Sequence, residues 1–173
     1  MKIVNIVATA ILDEPLDLKQ VHENLPGSKF PKAGSPWLQY RLQPENYYAT
    51  FYKSGKFLIT GVTSPDVIRP IADRIISILK KNAISVNIVE IRIHNFVVVD
   101  TIGKEIQFDK ILASLKDVDI EYEPEQFPGM IIKEGGHSFL LFGSGKIILT
   151  GVKNIESIIP ALNNFKKKIS RIE

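Results

Sequence analysis

The chain has 173 residues, 45% hydrophobic and 24% charged, an ordinary globular composition with enough apolar material for one well-buried core. The absence of cysteine excludes disulfides and thiolate metal sites, and no apolar run reaches the length that a membrane-spanning helix needs. The net charge of +3 is compatible with a polyanionic partner but is unevenly divided: residues 1–86 hold 11 Lys+Arg against 7 Asp+Glu, and residues 87–173 hold 11 against 12.

The opening MKIVNIVATAILDEP has one Lys ahead of an apolar stretch that Asn5 interrupts and acids follow, so it reads as a first strand over 2–12 rather than a signal peptide. Pro15 and Asp17 open a short helical segment with Leu18, Val21 and Leu25 on one face, and Pro26-Gly27 stops it. Three short strands are predicted next, Trp37 to Leu42, Tyr47 to Tyr52 and Lys56 to Thr60, as an antiparallel meander turned at Gln43-Pro44-Glu45-Asn46 and at Ser54-Gly55. Val67, Ile71, Ile75 and Ile78-Leu79 then recur at helical spacing, with Ser64 as N-cap, Pro65 at the first helical position and Lys80-Lys81-Asn82 at the end. The same series follows again: a strand over 88–99, a helix over 107–116, strands over 129–133, 138–142 and 146–150, and a helix over 154–169 that ends on Lys166-Lys167-Lys168.

The repetition extends to motifs. Asn5-Ile6-Val7 returns 90 residues later as Asn95-Phe96-Val97, and Ser54-Gly55-Lys56 with Thr60-Gly61 returns as Ser144-Gly145-Lys146 with Thr150-Gly151. Two copies of one unit imply pseudo-two-fold symmetry and a ligand with near-symmetric faces, such as a duplex or a partner dimer. In Phe57-Leu58-Ile59 and Ile147-Ile148-Leu149 both sheet faces are apolar, although two long amphipathic helices can cover only one. The other face is a binding surface, or it is roofed by a segment that reads as loop.

No catalytic set can be assembled. Gly143-Ser144-Gly145-Lys146 lacks the four-residue spacer of a phosphate loop and has Ile147 where Ser or Thr is needed. His22, His94 and His137 have no metal-ligand spacing, and the acidic run from Asp117 to Glu125 lacks the glycine of a calcium loop. The expectation is a protein that is not an enzyme, with no cofactor, no metal and no membrane partner.

The repeated asparagine strand, the repeated SGK and TG elements and the segment Tyr122-Glu123-Pro124-Glu125-Gln126-Phe127-Pro128-Gly129 together resemble the TATA-box-binding protein family in its short archaeal form, over essentially the whole chain. The resemblance implies an α+β, pseudo-two-fold saddle: a ten-stranded antiparallel sheet with four helices on its convex face, residues 1–86 and 87–173 being repeats within one continuous domain. It further implies a transcription initiation factor that binds A·T-rich double-stranded promoter DNA in the minor groove, bends it and recruits transcription factor B and the RNA polymerase pre-initiation complex. The location implied is intracellular, the cytoplasm or nucleoid of an archaeon, or the nucleus of a eukaryote. By the same resemblance Asn5 and Asn95 supply amide donors to the groove floor, Val7, Val97, Leu58 and Ile148 lie flat on it, and Thr60 and Thr150 add hydroxyls. Such a groove offers only N3 and O2 acceptors, which suits short donors set among apolar contacts. His94 stands where the family usually has glutamine, and either takes over that role or is an ordinary surface histidine. Phosphate contacts fall to Arg41, Ser54, Lys56, Ser144 and Lys146, and the contact with factor B to Glu123 and Glu125.

This family is itself a standing example of apolar side chains wedged between base steps. Its two phenylalanine wedges per copy match Phe127 and Phe142 in the second copy. In the first copy their counterparts are read as Tyr52 and Ser35, which offers almost no apolar surface, while Trp37 stands two residues away as a candidate substitute. The first-copy segment Phe30-Pro31-Lys32-Ala33-Gly34 has also lost the acids. The sequence therefore leaves open a first-copy end that kinks DNA less sharply. It also leaves open a divergent protein-interaction or regulatory module, or a homodimer through the apolar face in the absence of DNA.

Overall fold

In the computed structural model, which describes residues 1–172, strands and helices alternate as the periodicity predicts. They are β1 (Lys2–Leu12), α1 (Leu18–Asn24), β2 (Trp37–Leu42), β3 (Tyr47–Tyr52), β4 (Lys56–Val62), α2 (Ile68–Lys81), β5 (Ile88–Thr101), α3 (Phe108–Ser114), β6 (Asp119–Glu121), β7 (Gly129–Glu134), β8 (His137–Phe142), β9 (Lys146–Val152) and α4 (Ile158–Ile172). The hydrogen-bonded strand order is β2-β3-β4-β1-β5-β9-β8-β7-β6. The chain packs into two compact units, one of residues 5–94 and one of residues 95 onward with residues 1–4; they are called the first and second unit below.

In the first unit Phe57 and Ile59 of β4, Ala49 and Phe51 of β3, Leu38 and Leu42 of β2 and Ile6, Ala8 and Ala10 of β1 are buried on one face, as the two-residue period of a strand requires. Against that core, α2 buries Ile68, Ile71, Ala72, Ile75, Ile76 and Leu79. The second unit repeats the arrangement with Ile147, Leu149, Phe139, Leu141, Met130 and Ile132, and α4 buries Ile158, Leu162, Phe165 and Ile169. Phe165 stacks on Phe139 with ring centroids 4.0 Å apart.

Three expectations need correction. Nine strands form among the described residues, not ten: the first-unit counterpart of β6 shrinks to one bridge, in which Lys29 and Gln39 exchange backbone hydrogen bonds of 2.8 and 2.9 Å. In β6 the ladder continues from the equivalent pair, Glu121 with Ile131, to Asp119 with Lys133; in the first unit that direction leads back to Gly27, whose φ of 85° is not extended, and Ser28 N donates to Leu25 O instead, so the ladder stops. Ser64 makes no side-chain cap; the chain enters α2 through a 3₁₀ turn over Pro65–Val67, whereas Asn154 accepts from Glu156 N at 3.0 Å ahead of α4. Finally, α4 runs on to Ile172, so its three lysines precede the last turn. Lys166 pairs with Asp100 at 2.5 Å and Lys168 with Glu134, so these two cations hold the helix to its sheet rather than only terminating it.

Candidate nucleic-acid interface

The repeated Thr-Gly marks a bulge in each unit. Ile6 pairs with Val62 and Ala8 with Ile59, so Val7 alone faces both Thr60 and Gly61; Phe96 pairs with Val152 and Val98 with Leu149, so Val97 faces Thr150 and Gly151. The extra residue adopts a left-handed backbone, with φ of 87° at Gly61 and 83° at Gly151, which explains why glycine stands there twice. A bulge interrupts the ladder, and the repeated asparagine meets the interruption. Asn5 Oδ1 accepts from Gly61 N at 2.8 Å, and Asn95 Oδ1 from Gly151 N at 2.7 Å. With the amide oxygen committed to a backbone donor, the amide orientation is set and the NH₂ group is the part left to meet a ligand. Asn95 Nδ2 also lies 3.0 Å from Thr150 Oγ1. Among the described residues Asn5 has no such second contact, so its donors are less engaged.

Strand alternation brings the remaining predicted floor residues onto the face opposite the helices. In the first unit Thr9, Leu58, Thr50 and Gln39 lie side by side across β1, β4, β3 and β2, and Tyr48 pairs with Thr60 and Arg41 with Tyr48. In the second unit Val99, Ile148, Leu140 and Ile131 occupy the equivalent row. Leu58, Thr60, Ile148 and Thr150 are all half-buried, neither core nor fully solvated. Thr9, Thr50, Gln39, Val99, Leu140 and Ile131 belong to this face and were missed in the sequence, although alternation from Asn5 and Val7 reaches Thr9, and from Asn95 and Val97 reaches Val99. His94 Nε2 shares a 2.7 Å hydrogen bond with Thr9 Oγ1, so it is neither a free surface residue nor a free donor through that nitrogen.

The SGK hairpins close one end of each face. Ser54, Lys56, Ser144 and Lys146 are exposed at their tips. Each central glycine presses on the loop that follows the first strand of its unit: a Cβ on Gly55 would stand 2.3 Å from Glu14 O, and one on Gly145 2.1 Å from Lys104 O. Gly55 O accepts from Leu12 N, and Gly145 O from Ile102 N, both at 2.8 Å. The lysines fold back toward aromatic rings, Lys56 Nζ 5.5 Å from the Tyr52 centroid and Lys146 Nζ 5.7 Å from that of Phe142. Cation, hydroxyl and ring are thereby held together at both hairpins.

Phe127 reaches Phe142 from outside the sheet. A turn in which Gln126 N and Phe127 N both donate to Glu123 O at 2.9 Å aims its ring, and the two ring centroids are 5.7 Å apart, edge to face. Glu123 and Glu125 are exposed on that same turn. In the first unit Tyr52 has Trp37 directly across the strand pair, while Ser35 lies before β2, buried, with its hydroxyl unpartnered. Arg41 is exposed, packs over the Tyr48 ring at 4.2 Å and donates to its hydroxyl. The equivalent cation of the second unit, Lys133, is neutralised by Glu121 and Asp119 on β6, and hydrogen bonding to Glu121, with the charges of both acids, raises its pKa.

No group of residues suited to hold a metal ion occurs among the described residues, and none of their helices is long and apolar enough to cross a membrane. A family model described as transcription factor TFIID, or TATA-binding protein, matches residues 1–82 and again 90–172. The TATA-box-binding protein of Picrophilus torridus is 37% identical over 173 residues, 98% of this chain and 94% of that one. TATA-box-binding protein 2 of Haloferax volcanii is 33% identical, with 99% of this chain and 94% of that one covered. The solved structure of Methanococcus jannaschii TBP superposes with a TM-score of 0.85 at 31% identity, covering 98% of each chain. With one match on each copy of the strand, bulge and hairpin unit, and near full-length likeness in both sequence and fold, the chain belongs to the TATA-box-binding protein family of transcription factors.

Proposed function

We propose that the protein is a general transcription initiation factor that binds A·T-rich promoter DNA through the minor groove and bends it. In this reading the exposed acids Glu123 and Glu125 dock factor B, through which the RNA polymerase pre-initiation complex assembles. The observation that carries it is the paired asparagine: each Oδ1 is held by a bulge N–H, which turns NH₂ donors toward a half-buried face of Val, Leu, Ile and Thr. Donors set in an apolar surface match a groove floor that offers N3 and O2 acceptors without the guanine amine. Ser54, Lys56, Ser144, Lys146 and Arg41 contact phosphates, which positions the duplex without specifying its sequence.

The test exchanges donor for acceptor at constant shape. Asn5→Asp with Asn95→Asp keeps the oxygen that receives the bulge N–H but removes both NH₂ groups. Affinity for a TATA-like duplex, read by anisotropy, should fall on the order of a hundredfold while the circular dichroism spectrum is retained. Unchanged affinity would remove the basis of this reading. Glu123→Lys with Glu125→Lys should leave duplex binding intact and abolish the slower gel band formed with factor B.

A further inference from the structure

The first unit was expected to lack one of its two aromatic wedges, because Ser35 stands where the second unit has Phe127. Strand register shows where the missing bulk has gone. Trp37 pairs with Tyr52 in the first unit and Gly129 pairs with Phe142 in the second, so Trp37 and Gly129 are equivalent. The turn between β2 and β3 is also two residues longer than that between β7 and β8, residues 43–46 against 135–136, so Ser35-Pro36-Trp37 is the counterpart of Phe127-Pro128-Gly129.

The two arrangements exclude each other. A Cβ on Gly129 would lie 2.7 Å from Phe127 Cε1 and 3.2 Å from a ring carbon of Phe142, so the Phe127 ring occupies the space directly over the glycine. A side chain at that position would displace the ring. The first unit has such a side chain, the largest of the twenty, and its residue two places earlier is small and buried. Trp37 is half-buried and stands cross-strand from Tyr52, as the Phe127 ring stands beside Phe142. Large and small have changed places across a proline.

We propose that Trp37, paired with Tyr52, is the outer wedge of the first unit and enters a base step of the bound duplex in place of the phenylalanine that this unit lacks. The proposal rests on the duplex-binding reading given above. An indole offers more stacking area than a phenyl ring, and it springs from the strand itself rather than from a preceding turn. The wedge of the first unit is accordingly broader and more firmly placed, and Ser35 carries no part of it.

Trp37 is the sole tryptophan of the chain, so its emission reports its own surroundings. A TATA-like duplex labelled at both ends allows binding by anisotropy, bending by energy transfer between the ends, and indole emission to be read on the same samples. Saturation with duplex should quench the indole severalfold. Trp37→Gly should lower affinity about tenfold and reduce bending, Trp37→Phe should recover most of both, and Ser35→Phe combined with Trp37→Gly should restore both by rebuilding the arrangement of the second unit. Ser35→Phe alone should gain nothing. If the duplex binds and bends while emission stays unchanged and Trp37→Gly behaves as the parent protein, the assignment of Trp37 is overturned and the duplex reading stands. If no duplex binds at all, both fall together.

Discussion

Where the first unit sets Thr9, Leu58, Thr50 and Gln39 across its open face, the second sets Val99, Ile148, Leu140 and Ile131 in the same register. The edges differ as well. Lys29 bridges to Gln39 at the outer margin of the first unit, whereas Glu121 and Asp119 pair with β7 in the second and tie up Lys133. What stays constant is what the backbone requires: the glycine of each bulge, the asparagine that receives its N–H, and the glycine of each hairpin. The side chains of the open face carry no such backbone demand and differ between the units, so under the proposed function the two faces should differ in which duplex half each prefers.

The cores diverge in a parallel way. Ala10 and Ile76 fill the first unit where the second has Asp100 and Lys166, so apolar burial on one side is answered by an ion pair on the other. Burial pushes the Asp100 carboxyl up, but hydrogen bonds from Lys166 and the Met1 ammonium outweigh that and hold it below its ordinary value.

The sharpest test of what the units share is the hairpin glycine. Gly55→Ala and Gly145→Ala each force a Cβ onto a backbone carbonyl at positive φ, and each should cost about 3 kcal/mol in urea unfolding. A cheap substitution in one unit only would break the equivalence of the two hairpins. A smaller effect should separate the cores. Asp100→Asn should cost about 1–2 kcal/mol at neutral pH, while Ala10→Gly and Ile76→Val should show no matching pH dependence. A carboxyl with a lowered folded-state pKa contributes stability above its unfolded value and loses it as pH falls through the folded one, so the parent protein and Asp100→Asn should converge in acid unfolding midpoints. The smallest effect concerns the outer edge. Glu121→Gln should release Lys133 for phosphate contact and steepen the salt dependence of duplex binding by up to about one unit of slope. An unchanged slope would mean that Asp119 alone suffices to hold that lysine.

Repetition at a fixed spacing and two-residue alternation on either side of each turn were enough to identify the duplicated α+β plan, the paired asparagines and the SGK hairpins, because these are demands that neighbouring residues make on one another. Glu123 and Phe127 were singled out only through the family resemblance; the turn that carries them, with Gln126 N and Phe127 N donating to Glu123 O, is a finding of the structure. The tenth strand was not legible, because its loss depends on Gly27 leaving the extended backbone at the point where Arg41 of the partner strand would be met. The purpose of Thr60-Gly61 was hidden too: a bulge is a property of two paired strands, and the bond from Gly61 N to Asn5 Oδ1 spans 56 residues.

Composition, period and motif order by themselves settled what this chain is built from and how often the unit recurs. Only the tertiary structure decided which side chains stand against one another, since strand pairing rather than spacing puts Trp37 opposite Tyr52 and Gly129 beneath the Phe127 ring. The physical reason is that sheet neighbours are chosen by backbone hydrogen bonds across strands, and those set which side chains share a face.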